Sequence, residues 1–472
     1  MRHFGGNSPF RAGTLALPVL CVAQFVIVLD TTIVTTALPA IREALGFSAA
    51  GLQWVFTAYV LVLGGLLICG GRVADLAGRR RTFMIGLGVF AGASAGCALA
   101  WSPTALVTAR VFQGIGAALL SPAALALLTT LSDPGQARRR AVGWWTAVAA
   151  GGGASGWVLG GLITEYVGWR WIFAVNVPLG LVTLMIAPRV LPADRKQTRT
   201  SGLDLGGALT ATAGLALLVY GLTSAAERGL SRLPSWLPLL LAAVAFVIFI
   251  RHEGRTADPL VPLGLVRSRP VAGANLTALA ITASTTPAMY LSVLYVQDVL
   301  DVPAGRASLL FPAVNLAVIV GSLAGPRLLG RLGARRTALV GFTGIAIGIT
   351  ILIALPAAGL PAAQLVSAFT LIGAGLGTAS VSSTQTGTDG APTAYRGVAS
   401  GVLNSAAQVG TATGVALLVP LAAAVGPTVM TGYRIGFVGA FAITLGGVLS
   451  SFLMPARVQR SKSRNGNSQL IT

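Results

Sequence analysis

The stretch Gly71-Arg-Val-Ala-Asp-Leu-Ala-Gly-Arg-Arg-Arg81 returns later in the chain as Pro326-Arg-Leu-Leu-Gly-Arg-Leu-Gly-Ala-Arg-Arg336. Aligned on Gly78 and Gly333, each copy is a short glycine–arginine turn that closes one apolar run and opens the next. The run before the first copy covers residues 52–70, and the run before the second covers 308–329. Each is close to the roughly 20 apolar residues that carry a helix across a bilayer. Working outward from the two copies gives fourteen such runs, with the first copy after run 2 and the second after run 10. If run 10 is the second helix of a repeated half, that half begins at run 9. The expected fold is an all-α polytopic membrane protein of two six-helix bundles plus two inserted helices. The expected boundaries are 1–190 for the first bundle, 191–260 for a linker and inserted helices 7 and 8, 261–455 for the second bundle, and 456–472 for a basic tail. Parallel repeats of this kind are a transporter architecture, with the substrate site between the repeats near the bilayer midplane.

Of the 472 residues, 54% are hydrophobic and 10% are charged, against about 25% charged in an average soluble domain. So few charges cannot cover a water-facing surface, and most of the exterior has to face lipid. A membrane β-barrel is excluded by pattern: its strands alternate apolar and polar over about 10 residues, whereas these runs are continuous. The formal charge of +20 does not point to nucleic acid. With the N-terminus in the cytoplasm, Arg42, Arg170, Arg228, Arg232, Arg306 and Arg434 fall on outside segments and Arg110 falls within a run. The other 26 of the 33 Lys and Arg residues fall inside. That asymmetry is the positive-inside rule, and it puts both termini in the cytoplasm. Cys21, Cys69 and Cys97 lie within apolar runs, with no pairing or metal-ligand spacing. The excess of Arg over Lys, with abundant Ala and Gly, reads as a GC-rich bacterial genome. The expectation is a multi-pass monomer in a bacterial inner membrane.

Five segments, in order, carry a resemblance. They are Leu29-Asp-Thr-Thr-Ile-Val-Thr-Thr-Ala-Leu-Pro39, Leu52-Gln-Trp-Val-Phe-Thr-Ala-Tyr59, Gly71–Arg81, Ala109-Arg-Val-Phe-Gln-Gly-Ile-Gly116 and Gly168-Trp-Arg-Trp-Ile-Phe-Ala-Val-Asn-Val-Pro178. With them, most of the chain resembles the fourteen-span drug:proton antiporters of the major facilitator superfamily. The resemblance implies the major facilitator fold and efflux of small amphipathic organic compounds by alternating access. It implies a proton gradient as the driving force, with no cofactor.

The residues have physical readings of their own. Asp30 is the one carboxylate well inside an apolar run; burial disfavours its charged form and a nearby Arg favours it. A group so balanced can take up and release a proton, the alternative being a structural Asp bonded to neighbouring threonines. Arg110 is costly in hydrocarbon, by about 2.5–3.5 kcal/mol at a helix centre, unless it snorkels to the interface. The resemblance implies that Asp30 and Arg110 form a proton-coupling pair. It also implies a cytoplasmic gate latch built from Gly71, Asp75, Gly78 and Arg79. The arginines there could equally serve only to anchor topology, and Gly330 stands in the second copy where the first has Asp75. Run 5 carries Gly152, Gly156, Gly160 and Gly161, similar to the superfamily's antiporter signature, with Trp157 where that signature has Pro. Ordinary small-residue helix packing is the other reading of these glycines. Gln24, Trp54, Tyr59, Gln113, Asn404 and Gln408 are expected at a substrate cavity; polar residues such as Asn176, Asn275 and Asn315 could line it or bond helix to helix.

A charge crossing 100 mV gains about 2.3 kcal/mol, and one pH unit adds about 1.4. Together these sustain a gradient of several hundred-fold for a neutral cargo. A proton-coupled importer or facilitator of a specialised metabolite would share this fold. A polytopic enzyme would need a convergent acid, base or metal cluster, but His3 and His252 are peripheral and no Asp/Glu pair stands at catalytic spacing. The expectation is therefore no catalysis, no metal, and partners limited to lipid, protons and a small organic cargo.

Overall fold

The computed structural model describes residues 10–456 apart from 49–50, 133–135, 195–203, 230, 257–258, 260, 357–360, 393–394 and 425–428. The linker residues Arg195, Lys196 and Arg199 and the basic tail beyond 456 therefore lie outside the described residues. Among the described residues the fourteen long helices are α1 (Phe10–Leu45), α2 (Gln53–Ala77), α3 (Arg79–Ala98), α4 (Pro103–Leu131), α5 (Gln136–Tyr166), α6 (Asn176–Val190) and α7 (Leu205–Arg228). The series continues with α8 (Leu233–Glu253), α9 (Arg269–Leu294), α10 (Pro312–Leu332), α11 (Ala334–Ile353), α12 (Ala362–Asp389), α13 (Arg396–Ala424) and α14 (Val429–Ser451). Among the described residues, thirteen membrane-length spans meet the requirements of length and apolarity, and α5 is the remaining long helix. This is a multi-pass membrane protein.

Helices α1–α6 pack on one another as one bundle and α9–α14 as another. The repeat seen in the sequence holds at the level of single hydrogen bonds. Gly78 and Gly333 each form the one-residue joint between two helices, at φ 101° and 81°. That left-handed region admits glycine without the steric penalty a Cβ brings. Two residues beyond each glycine an arginine reaches back to a closing carbonyl near the end of the bundle's sixth helix. Arg80 Nη2 donates to Pro188 O (2.8 Å) and Arg335 Nη2 to Phe452 O (2.9 Å). Cationic donors suit the unsatisfied carbonyls of a helix C-terminus. Asp194, on the segment after α6, accepts the backbone N–H groups of Arg80 and Arg81, both at 2.9 Å. A carboxylate there satisfies orphan donors at the start of α3.

The inserted pair lies at the edge. Only 17% of the most apolar part of α8 is buried, against 83% for α9. Helix α7 packs on α2 of the first bundle and α13 of the second. Gln53 Nε2 donates to Thr223 Oγ1 (2.9 Å) in that seam. The pair is joined at one end by Asp204, which caps α7 through Gly207 N (2.8 Å) and meets His252 Nε2 at 2.6 Å. Burial pushes the Asp204 carboxyl up, but Gly207 N–H and His252 outweigh it and hold the group below its ordinary value. A carboxyl held low stabilises the fold fully above the ordinary carboxylate value, and that stabilisation is lost as pH falls through the lowered one. Asp204→Ala should cost about 0.5–2 kcal/mol, as for other lost caps. In differential scanning of purified protein, the wild type should lose melting temperature on acidification through that range, and the variant should lose measurably less.

Candidate functional site

Asp30 and Arg110, 80 residues apart, meet at the centre of the first bundle, both with 0% exposure. Arg110 Nη1 lies 2.5 Å from Asp30 Oδ2 and 2.7 Å from Gln113 Oε1, while Nε donates to Val55 O at 2.7 Å. Asp30 Oδ1 accepts from Gln113 Nε2 (2.7 Å) and Asn176 Nδ2 (3.0 Å). Gln113 Nε2 also donates to Ser94 Oγ at 2.9 Å. The guanidinium carbon sits 4.3 Å from the Tyr59 ring centre and 5.7 Å from that of Phe173. Five helices, α1, α2, α3, α4 and α6, thus close around one ion pair. An arginine this deep is tolerable because it has a counter-ion, a backbone acceptor and an aromatic face at once. It does not snorkel. Two donor or acceptor atoms stay unpartnered in the cluster, Arg110 Nη2 and Asn176 Oδ1. Asn176 stands among the intramembrane polar residues in the sequence, but nothing local ties it to Asp30, 146 residues earlier.

Helix α5 lies along α1 on the glycines read from the sequence. A Cβ on Gly152 would stand 2.9 Å from Phe25 O; one on Gly156 would overlap Thr32 Oγ1; and one on Gly160 would lie 2.5 Å from Ile33 O. Gly161 faces the other bundle, with Ala304 O 2.5 Å from its Cβ position. Trp157 also turns to that bundle and stacks on Phe311, with ring centres 4.7 Å apart, and Phe311 stacks on Phe369 at 4.9 Å.

Between the bundles is a cavity of about 1020 Å³. Gly71 and Asp75 of the glycine–arginine turn are on its wall, with Asp75 paired to Arg79 at 3.1 Å. Arg79 also bonds Thr130 Oγ1 of α4. Gly78, the joint before Arg79, packs against the Asp194 carboxylate. Of the six residues expected at the cavity, Asn404 lines it and the other five sit elsewhere. Gln113 and Tyr59 belong to the ion-pair cluster, and Trp54 faces Tyr220 of the inserted α7 at 6.4 Å. Gln408 packs against Gly64 where α13 crosses α2, and Gln24 accepts from Ser121 Oγ at 3.5 Å. Asp30 and Arg110 do not reach the cavity in this conformation.

The far end of the molecule is tied shut between bundles. Arg42, at the end of α1, forms a two-pronged pair with Asp298, at 2.9 and 3.0 Å. Gln297 Nε2 donates to Thr36 O (3.1 Å), and Gly305 N donates to Glu165 Oε2 (2.6 Å). Among the described residues the cavity therefore lies toward the arginine turns, and these ties between the bundles lie opposite it.

A family model described as Major Facilitator Superfamily matches residues 20–415. The chain belongs to this superfamily. Two curated relatives within it are the cephamycin export protein CmcT of Amycolatopsis lactamdurans and the puromycin resistance protein pur8 of Streptomyces alboniger. The first is 39% identical, covering 88% of this chain and 86% of its own length; the second is 40% identical, covering 85% and 80%. The tetracenomycin C resistance and export protein of Streptomyces glaucescens is 33% identical over 85% of this chain and 74% of its own. Among solved structures, the POT family transporter PepTSo aligns with a TM-score of 0.68 at 16% identity, covering 93% of this chain and 96% of that one. A D-xylose–proton symporter aligns with a TM-score of 0.65 at 17% identity, covering 94% and 98%. At such identities these structures establish the major facilitator fold alone, here with its two extra helices.

Proposed function

We propose that this protein exports small amphipathic organic molecules from the bacterial cytoplasm in exchange for protons, cycling between inward-open and outward-open forms. The reading puts the arginine turns on the cytoplasmic side of the inner membrane, both termini with them, and takes the monomer as the working unit. Relatives whose names describe antibiotic export and resistance support efflux, and the resemblance to drug:proton antiporters supports the coupling ion. The observation that carries the proposal is the Asp30–Arg110 pair, closed inside the bundle whose other face forms a cavity wall. No cofactor enters the cycle.

On this reading the structure is the inward-open form. Cargo enters from the cytoplasm while Arg42 and Asp298 hold the outer end together. Asp30 and Arg42 share one helix, about 18 Å apart at 1.5 Å per residue. A proton reaching Asp30 neutralises the carboxylate that restrains Arg110, which leaves a buried cation without its counter-ion. That is unfavourable unless the helices around it shift. Because α1 moves with α5, the shift reaches the outer closure through Arg42 and Trp157. The fold thereby has a route from one proton to the state of the far gate.

Transport in everted membrane vesicles tests direction and coupling together. Vesicles carrying the protein should accumulate a fluorescent amphipathic cargo when respiration acidifies their lumen, and should lose it on addition of a protonophore. Accumulation only in right-side-out vesicles would establish an importer instead, and protonophore-insensitive movement a facilitator.

A further inference from the structure

The two walls of the cavity differ in chemistry. On the first bundle it is lined by Leu67, Ile68, Leu125 and Trp145, and the two hydroxyls there, Ser121 and Thr129, already donate to protein oxygens. On the second it carries Ser380 and Thr384, one turn apart on α12, opposite Ser400 and Asn404, one turn apart on α13. Among the described residues these four side chains have no hydrogen-bond partner in the protein, so their donors and acceptors are available. The wall's charged residues, Arg72 and Asp75, are both on α2 at the arginine end and already engaged with protein groups.

A fifth polar group extends this ladder. Asn275 of α9 is 9% exposed, yet neither its Oδ1 nor its Nδ2 has a partner. A buried amide left so needs an explanation, because the desolvation it suffers goes unrecovered. The register of α9 on α13 shows where it lies. Thr282 Oγ1 donates to Ala407 O (2.6 Å) and Thr286 meets Thr411 (3.4 Å), both pairs 125 residues apart. The same offset, carried two turns along these parallel helices, sets Asn275 level with Ser400, next to the lining residues Ala278 and Ser400 but behind the cavity wall itself. On the other side Ser383, itself on the cavity wall, donates to Ala274 O at 2.8 Å.

We infer that this cavity selects uncharged cargo with one face rich in hydroxyl or carbonyl oxygens, and that Asn275 is its specificity-determining residue. The inference rests on the export reading and adds the class of molecule exported. The Leu67–Trp145 wall takes the apolar face of the cargo by area, without discrimination. The α12–α13 ladder takes the oxygenated face, the Asn275 amide joins it by turning past Ser400, and an analogue lacking those groups leaves Asn275 unpaired, as it is in this conformation. Sites built to hydrogen-bond a substrate reject such analogues far better than apolar pockets reject a missing methylene. A lipophilic cation finds no unpaired carboxylate on the described wall, where Asp75 is held by Arg79, and has only the Trp145 ring to meet it.

Binding to purified protein in lipid nanodiscs tests this, with 4-methylumbelliferyl β-glucoside, its sugar-free relative 7-methoxy-4-methylcoumarin, and tetraphenylphosphonium as probes. The wild type should bind the glucoside at least ~10-fold tighter than the coumarin, the difference expected when several hydrogen bonds are lost. Asn275→Leu should remove roughly 3–10-fold of that preference, the worth of one or two such bonds, with a smaller change for the coumarin. Should Asn275→Leu fail to fold, the solvent-facing Asn404→Leu is expected to lower the preference in the same direction. Equal binding of glucoside and coumarin, a tighter fit for tetraphenylphosphonium, or a preference untouched by the substitution made would overturn the inference. Vesicles that move no cargo would sink the export reading instead and leave these binding ratios as they stand.

Discussion

Everted vesicles carrying Asp30→Asn should accumulate no cargo on acidification of their lumen, although the protein is present in the membrane. The substitution keeps the size of the side chain and removes the charge that neutralises Arg110. Arg110 then keeps Val55 O and Gln113 Oε1 as acceptors but loses its counter-ion in a fully buried site. Breaking a buried pair from one side costs about 3–5 kcal/mol, because the remaining charge is left uncompensated. Lost transport could therefore be lost stability, and a second variant separates the two. In Asp30→Asn with Arg110→Gln neither charge remains, and most of the lost melting temperature should return, since neutral replacements of whole pairs are often tolerated. Proton-driven accumulation should not return, because no group there can carry the proton. Vesicles of the double variant that concentrate cargo normally would remove Asp30 from the coupling mechanism.

How much of this was legible in the sequence follows from what charge and polarity cost at each depth. Asp30 and Arg110 stand out because an ionised side chain in an apolar run is expensive, so two of them in one bundle have reason to meet. The glycine–arginine turn stands out because it occurs twice. Arg42 and Asp298 carry no such signal: at helix ends, where water is near, either charge is inexpensive alone, and their pairing across 256 residues is a matter of tertiary structure. Asp194 is similar, an ordinary acidic residue on a polar segment until the fold sets it against α3. The rotation of each helix was also hidden. Lipid-facing and core-facing sides of a span are both apolar, so the sequence could place Trp54 and Gln408 in a membrane helix without telling which neighbour they would face. That is why Asn404 alone of the six expected residues lies on the cavity wall. Asn275, one of several intramembrane amides, needed the register of α9 on α13 to acquire a position.

The second large effect is expected at Gly156. On α5 the glycines at 152, 156 and 160 recur every four residues, and they meet Phe25, Leu29 and Ile33, which recur every four on α1. The contact is backbone against backbone: a Cβ on Gly156 would overlap Thr32 Oγ1 and stand 3.0 Å from Leu29 O. A threonine can rotate away, whereas a main-chain carbonyl within a helix cannot. Gly156→Leu therefore has to push α1 off α5, one residue from Asp30. Overpacking typically costs about 1–3 kcal/mol, and more where backbone must move, so a large drop in melting temperature and loss of transport should follow. Gly156→Ala should be milder and partly restored by Thr32→Ala, which removes the overlapping oxygen. Gly151 supplies the control, since it lies five residues earlier on the same helix with nothing within 4 Å of its Cβ position. Gly151→Leu should leave both melting and transport near wild type. If Gly156→Leu melted and transported like Gly151→Leu, α1 and α5 could not be a rigid pair, and the path from a proton at Asp30 to the gate at Arg42 would have to run through another helix.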